Sequence, residues 1–166
     1  MQDLYTRLTE LLGKSEDDQT FAHFLKEIDD SPDVSNREVV STYWFRKTGL
    51  EIIALPDGEQ MPKSVVSITF YFDVPSVREG SIEPYRGPLL AGIKPDDSFE
   101  QVKSKIDHTP IDYYAESVMK LRYDFADHFA YFEFHEPHGE GLTLVSLWAK
   151  LEKVFPSKEI SETDFC

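Results

Sequence analysis

The chain has 166 residues and a formal net charge of -14, from 31 acidic and 17 basic side chains, with a single cysteine. That length is one domain, or two small units sharing a core, and needs no cross-links; Cys166 alone excludes an intrachain disulfide. The negative field excludes nucleic acid and anionic membrane as natural partners and favours a basic protein.

In chain order, the first expected helix is Asp3–Leu12, with Leu4, Leu8, Leu11 and Leu12 on one stripe and Gly13 to end it. It reads as amphipathic, not as a secretory signal, and no apolar run of about 18 residues follows that would cross a bilayer. A cytosolic protein is therefore expected. The second helix is Asp18–Ile28, with Phe21, Phe24, Leu25 and Ile28 inward and Pro32 blocking its extension. Strands are expected at 39–48, 50–56 and 64–73, with turns at Gly49 and Pro56–Gly58. Residues 74–95 carry Pro75, Gly80, Pro84, Gly87, Gly92 and Pro95 and read as a long connection with room for a short edge strand. The third helix is Asp97–Ile106, capped by Asp97 or Ser98. Strands follow at 117–125, 128–136 and 141–150, with His138–Gly141 as the last hairpin turn. The tail 151–166 is polar and loosely held.

The chain also matches itself. Residues 11–32, LLGKSEDDQTFAHFLKEIDDSP, align without a gap on residues 89–110, LLAGIKPDDSFEQVKSKIDHTP. Leu11/Leu89, Leu12/Leu90, Asp18/Asp96, Phe21/Phe99, Ile28/Ile106, Asp29/Asp107 and Pro32/Pro110 are identical pairs. Downstream, Phe45 falls on Tyr123, Leu50 falls on Phe129 after a one-residue insertion, and Tyr71 falls on Trp148. The expectation is an α+β domain: two tandem helix–antiparallel-sheet repeats forming one continuous sheet, with the helices on one face. Its parts are an N-terminal helix and first repeat (1–73), a connection (74–88), a second repeat (89–150) and a tail (151–166).

Alternation within the strands then sorts side chains by face. Val66, Ile68, Phe70 and Phe72 point one way, and Ser67, Thr69 and Tyr71 the other. The face away from the helices collects Trp44, Arg46, Tyr71, Arg122, Asp124, Tyr131, Glu133 and Trp148. Trp, Tyr and Arg are the residues that dominate protein interfaces. These eight are the candidate partner-binding residues, unless loop 74–95 and the tail cover them as a second small core.

Two helix-then-sheet units in tandem resemble the β-lactamase inhibitory protein architecture, over residues 11–150. That resemblance implies one sheet gripping an enzyme with an aromatic face. The chain lacks that family's cysteines and secretion signal. It is also similar in style to immunity proteins of bacterial polymorphic toxins, which implies neutralisation of a toxin by tight binding. The expected function is therefore an acidic, cytosolic, immunity-type inhibitor with a protein partner, no cofactor and no catalytic residue. Two rivals stand beside it. A small-molecule or peptide module would use the same face, and a deep pocket between the repeats would favour it. A metal-dependent hydrolase would draw on His128, His135, His138, Asp124, Asp127, Glu133 and Glu136. The histidine spacing is poor for zinc, since His128 and His135 fall on opposite faces of one strand, and no metal is expected. Neither a nucleophile elbow nor a phosphate loop is present.

Overall fold

The computed structural model describes residues 4–56, 62–73, 82–115, 118–135 and 140–150. The turn Pro56–Gly58 past Pro56, the 74–81 stretch, Glu136, His138 and the tail 151–166 lie outside the described residues. Helix α1 is Leu4–Leu11, α2 is Gln19–Glu27 and α3 is Phe99–Lys105. Asp18 is the N-cap of α2, its side chain accepting from the Thr20 backbone N–H at 2.7 Å. That bond holds the Asp18 carboxyl below the usual carboxylate value. Ser98 caps α3 in a reciprocal box with Gln101. Asp97 does something else: it is buried and accepts from the Lys94 backbone N–H (2.7 Å) and the Lys105 ammonium (2.5 Å).

Eight strands form one antiparallel sheet: β1 Asp33–Arg37, β2 Val40–Phe45, β3 Leu50–Pro56, β4 Lys63–Tyr71, β5 Ile111–Ala115, β6 Val118–Asp124, β7 His128–Phe134 and β8 Leu142–Ala149. Their order is β1-β2-β3-β4-β8-β7-β6-β5, so two four-strand meanders meet at β4 and β8. Sequence patterning anticipates six of these strands. It misses β1 and β5, which are edge strands. Every residue of β1 is exposed, so no alternation of apolar and polar marks it.

The helices pack on one face. Tyr5 of α1 stacks on Phe70 at 5.9 Å, Phe24 of α2 meets Phe45 edge-on at 5.9 Å, and Phe99 of α3 meets Phe134 edge-on at 5.4 Å. Leu8, Leu50, Ile52, Ile68, Val102, Leu121, Ala130 and Val145 complete one continuous core between helices and sheet, each with no exposure. The stretch 82–95 joins this core through the buried Tyr85, Leu89 and Ile93, and forms a 3-10 turn at Leu90–Gly92 rather than an edge strand. It crosses the β2–β3 turn at Gly49, where φ is 73° and an added Cβ would lie 2.5 Å from the Glu83 carbonyl oxygen and 2.5 Å from the Tyr85 nitrogen. Only glycine fits there.

The two meanders share a pairing register. Trp44 faces Glu51 as Arg122 faces Tyr131; Asp33 faces Trp44 as Ile111 faces Arg122; Glu51 faces Thr69 as Tyr131 faces Ser146. Even the irregularities correspond, at Ile53/Ala54 in one half and Glu133/Phe134 in the other. This register corrects one sequence alignment. Leu50 is a fully buried core residue opposite Phe45, and Ala130 holds the matching place opposite Tyr123. Phe129, on which the sequence sets Leu50, points to the other face. If the two halves are repeats, the turn insertion is two residues rather than one; a slip of one residue in a strand changes the face.

Candidate functional site: the open sheet face

The side of the sheet away from the helices is built by alternation. One row of directly paired residues crosses all eight strands: Asp33, Trp44, Glu51, Thr69, Ser146, Tyr131, Arg122 and Ile111. A second row holds Tyr71, Leu144, Glu133 and Lys120, and a third holds Thr42, Ile53, Ser67, Trp148, Phe129 and Asp124. Seven of the eight sequence-selected residues lie in these rows, and Arg46 sits one step past β2 in the same alternation. Sequence reasoning missed Glu51, Lys120, Phe129 and Lys150. Each could have been found by pairing strands before choosing residue types, because each is a neighbour of a selected residue.

The middle of the face is tied across the β4–β8 seam. Thr69 Oγ1 and Ser146 Oγ share a buried 3.0 Å hydrogen bond. On the β2–β4 side, Trp44 stacks on Tyr71 with centroids 5.9 Å apart, and the Tyr71 hydroxyl donates to Glu51 Oε2 at 2.6 Å. Glu51 is only 6% exposed, so this charge-assisted bond is shielded from water. Arg46 pairs with Asp33. On the β6–β8 side, Tyr131 meets Trp148 edge-on at 6.5 Å. The Arg122 guanidinium carbon lies 4.5 Å from the Phe129 ring centroid and 5.7 Å from that of Tyr131. Glu133 pairs with Lys120 at 2.6 Å, and Asp124 with Lys150 at 2.8 Å.

Two consequences follow. Trp148 is 45% exposed, so it is not buried in a second core under the connection. The described part of the connection, 82–95, packs instead on the helix-side core. Secondly, among the described residues the acids of the face (Asp33, Glu51, Asp124, Glu133) are offset by Arg37, Arg46, Lys120, Arg122 and Lys150, so the acidic excess of the described residues lies elsewhere. Part of it is structural: the buried Asp30 accepts from the Thr48 backbone N–H at 2.8 Å and from its hydroxyl at 2.9 Å. Glu16 accepts from the Tyr43 hydroxyl at 2.6 Å, and burial followed by that bond raises Tyr43 well above the ordinary phenol range.

Of the acid–histidine cluster, only His128, His135, Asp124, Asp127 and Glu133 lie within the described residues. His128 is buried against Phe125, with Nδ1 2.7 Å from Asp127 Oδ1. His135 lies 3.8 Å from Asp73. Among the described residues no three His, Cys, Asp or Glu side chains are grouped as metal ligands. Two cavities lie on the helix side. One of 520 Å³ is lined by Arg7, Glu10, Thr20, His23 and Glu27, and another of 520 Å³ by Thr9, Lys14, Thr20 and Asp127. The open face has a hollow of 410 Å³ beside Trp44, lined by Ser35, Arg37, Val40 and Thr42.

No family model matches the chain, and no curated protein matches it in sequence. A solved structure does match: an extracellular protein containing a SCP domain from Bacillus anthracis str. Ames, with a TM-score of 0.53 and 9% sequence identity over 90% of this chain. The match covers 48% of that protein, so the chain spans about half its length. At this identity the likeness concerns the fold alone. It overturns the resemblance to the β-lactamase inhibitory protein architecture. Helix followed by antiparallel sheet is a generic way to cover one side of a sheet, and no motif of this chain tied it to that family. No helix of the described residues is long and apolar enough to cross a membrane. Among the described residues the fold is α+β, with three α-helices and one open eight-stranded antiparallel sheet.

Proposed function

We propose that this chain is a protein-binding module of the immunity type, which neutralises a partner toxin or enzyme by docking its open sheet face. The observation that carries the reading is the row structure of that face. Trp44, Tyr71, Tyr131 and Trp148 stand with paired charges on a broad surface fixed by an eight-stranded ladder. Such a surface suits a protein better than a small molecule, which needs a deep concave site. The 410 Å³ hollow beside Trp44 is at the sheet edge and takes one side chain of a partner more readily than a whole ligand. The partner is basic on its surface and the setting is cytosolic. The test is binding of the purified chain to the product of the gene adjacent to its own. Loss of binding in Trp148→Ala supports the reading; undiminished binding by the double variant Trp148→Ala/Tyr71→Ala removes this face from the mechanism.

We also infer that the sheet is a diverged duplication of one helix-plus-meander unit, with 1–73 and 89–150 as its halves and 74–88 between them. The gapless match of 11–32 on 89–110, the common register and the matched irregularities support this. The helix contacts have diverged: Phe99 meets the ring of Phe134, whereas the corresponding sheet position is Ala54 and Phe21 turns to Tyr43 at 5.1 Å. Superposing the halves should place Trp44 on Arg122 and Thr69 on Ser146. A better fit in any other register would argue against common origin.

A further inference from the structure

We propose that Arg122 is the receptor for a side-chain carboxylate, Asp or Glu, of the protein partner, seated between Ile111 and Trp148. This rests on the protein-binding reading above and adds the chemistry of its central contact. Arg122 lies in the middle row of the open face, paired directly with Ile111 of β5 and Tyr131 of β7. Its strand partner Ile111 on β5 is 57% exposed, and Trp148 on β8, beyond Phe129, is 45% exposed, so exposed apolar side chains lie to either side of Arg122 in strand order. Phe129 and Tyr131 hold it from within the sheet face. A guanidinium is always protonated, and its planar fork matches a carboxylate.

Its neighbours leave it without one. Asp124 is taken by Lys150 and Glu133 by Lys120. Among the described residues no carboxylate pairs with Arg122, and its Nε is buried with no hydrogen-bond partner. Arg37 is also on this face, but it stands exposed on the edge strand. Arg122 is different: a half-buried cation backed by rings, where pairing is stronger than in open water. A carboxylate arriving from the open side would bind its terminal nitrogens. A partner's side chain is the fitting source. Capture of a chain terminus uses free backbone N–H groups, and here β6 and β7 commit theirs to the sheet ladder. The -14 net charge disfavours a phosphate polymer. The long-range field and the local contact differ in sign, so a basic partner steered by the first still needs an acid at the second.

The test is an NMR titration of the full chain with two peptides, acetyl-Phe-Glu-amide and its neutral isostere acetyl-Phe-Gln-amide. The expected result is saturable movement of the Arg122 Nε–H and Trp148 indole N–H resonances, with the Glu peptide bound at least about threefold more tightly. Arg122→Met should abolish that preference, and Arg37→Met should keep it. Equal binding of both peptides by the unaltered chain, or no saturable movement, overturns the proposal, and neither outcome depends on a variant folding. A preference abolished by Arg37→Met instead also overturns it. With the partner in hand, binding lost in Trp148→Ala but unchanged in Arg122→Met sinks the carboxylate contact alone. Binding indifferent to both sinks the protein-binding face itself.

Discussion

Phe21 of α2 and Phe99 of α3 lie in the first turn of their helices, after the caps Asp18 and Ser98, and they are 1% and 4% exposed. Both were legible in the sequence, because apolar residues at helical spacing need only local pattern to be found. Phe21→Ala and Phe99→Ala should each cost about 3–5 kcal/mol, the usual range for deleting a buried aromatic; denaturant midpoints near that of the parent chain would show otherwise. Tyr123 was legible only as the counterpart of Phe45 in the self-alignment of the chain. Its ring is buried against Phe132 and Phe125, and its hydroxyl has no hydrogen-bond partner. Burial, then the nearby Asp112 carboxylate, pushes its pKa up to about 12 from 10.0. Between those values the unfolded chain has released a proton that the folded chain keeps, so stability falls as pH rises. Tyr123→Phe removes both effects. It should stabilise the protein by about 1 kcal/mol at neutral pH, since an unsatisfied buried hydroxyl is a cost. It should also flatten the loss of stability above pH 10, and thermal melts across that range would read both.

At the scale of elements, local signals and tertiary signals part company. The helices end where the sequence says, because caps are local. Ser98→Ala should lose about 1 kcal/mol by removing one side of the capping box; circular dichroism of urea unfolding measures it. Gly49→Ala should cost more, about 2 kcal/mol, since it combines positive φ with contact against the backbone of Glu83 and Tyr85. The glycine itself was legible as a turn. The crossing of residues 82–85 over it was not, because that contact joins parts of the chain far apart in sequence. The same division explains the strands. β2, β3, β4, β6, β7 and β8 alternate or are apolar and could be read; the exposed edge strand β1 carries no period at all. The open face was legible because alternation is local. Which side chains on it are already paired was not. Arg46 with Asp33, Tyr71 with Glu51, and Asp124 with Lys150 depend on cross-strand register.

For the whole molecule, charge and contact surface are separated on the proposed reading. The chain carries -14, yet the charges of the open face offset one another. On that reading, the negative field would accelerate encounter with a basic partner, while the face would decide what stays bound. Raising salt should therefore slow association with the partner and leave dissociation nearly unchanged. Trp148 and Tyr71 then separate two roles that residue type alone would merge. Trp148 is 45% exposed, so Trp148→Ala should leave the unfolding midpoint almost unmoved and speed dissociation, costing about 2 kcal/mol of binding. Tyr71 stacks on Trp44 and donates to the nearly buried Glu51. Tyr71→Ala removes a charge-assisted hydrogen bond to that carboxylate, so it should lower folding stability as well as binding, by about 1–3 kcal/mol. Kinetics of the two variants at low and high salt, with unfolding curves beside them, distinguish these effects. A Trp148→Ala variant that changes association rather than dissociation would mean that the ring guides encounter and does not anchor the complex.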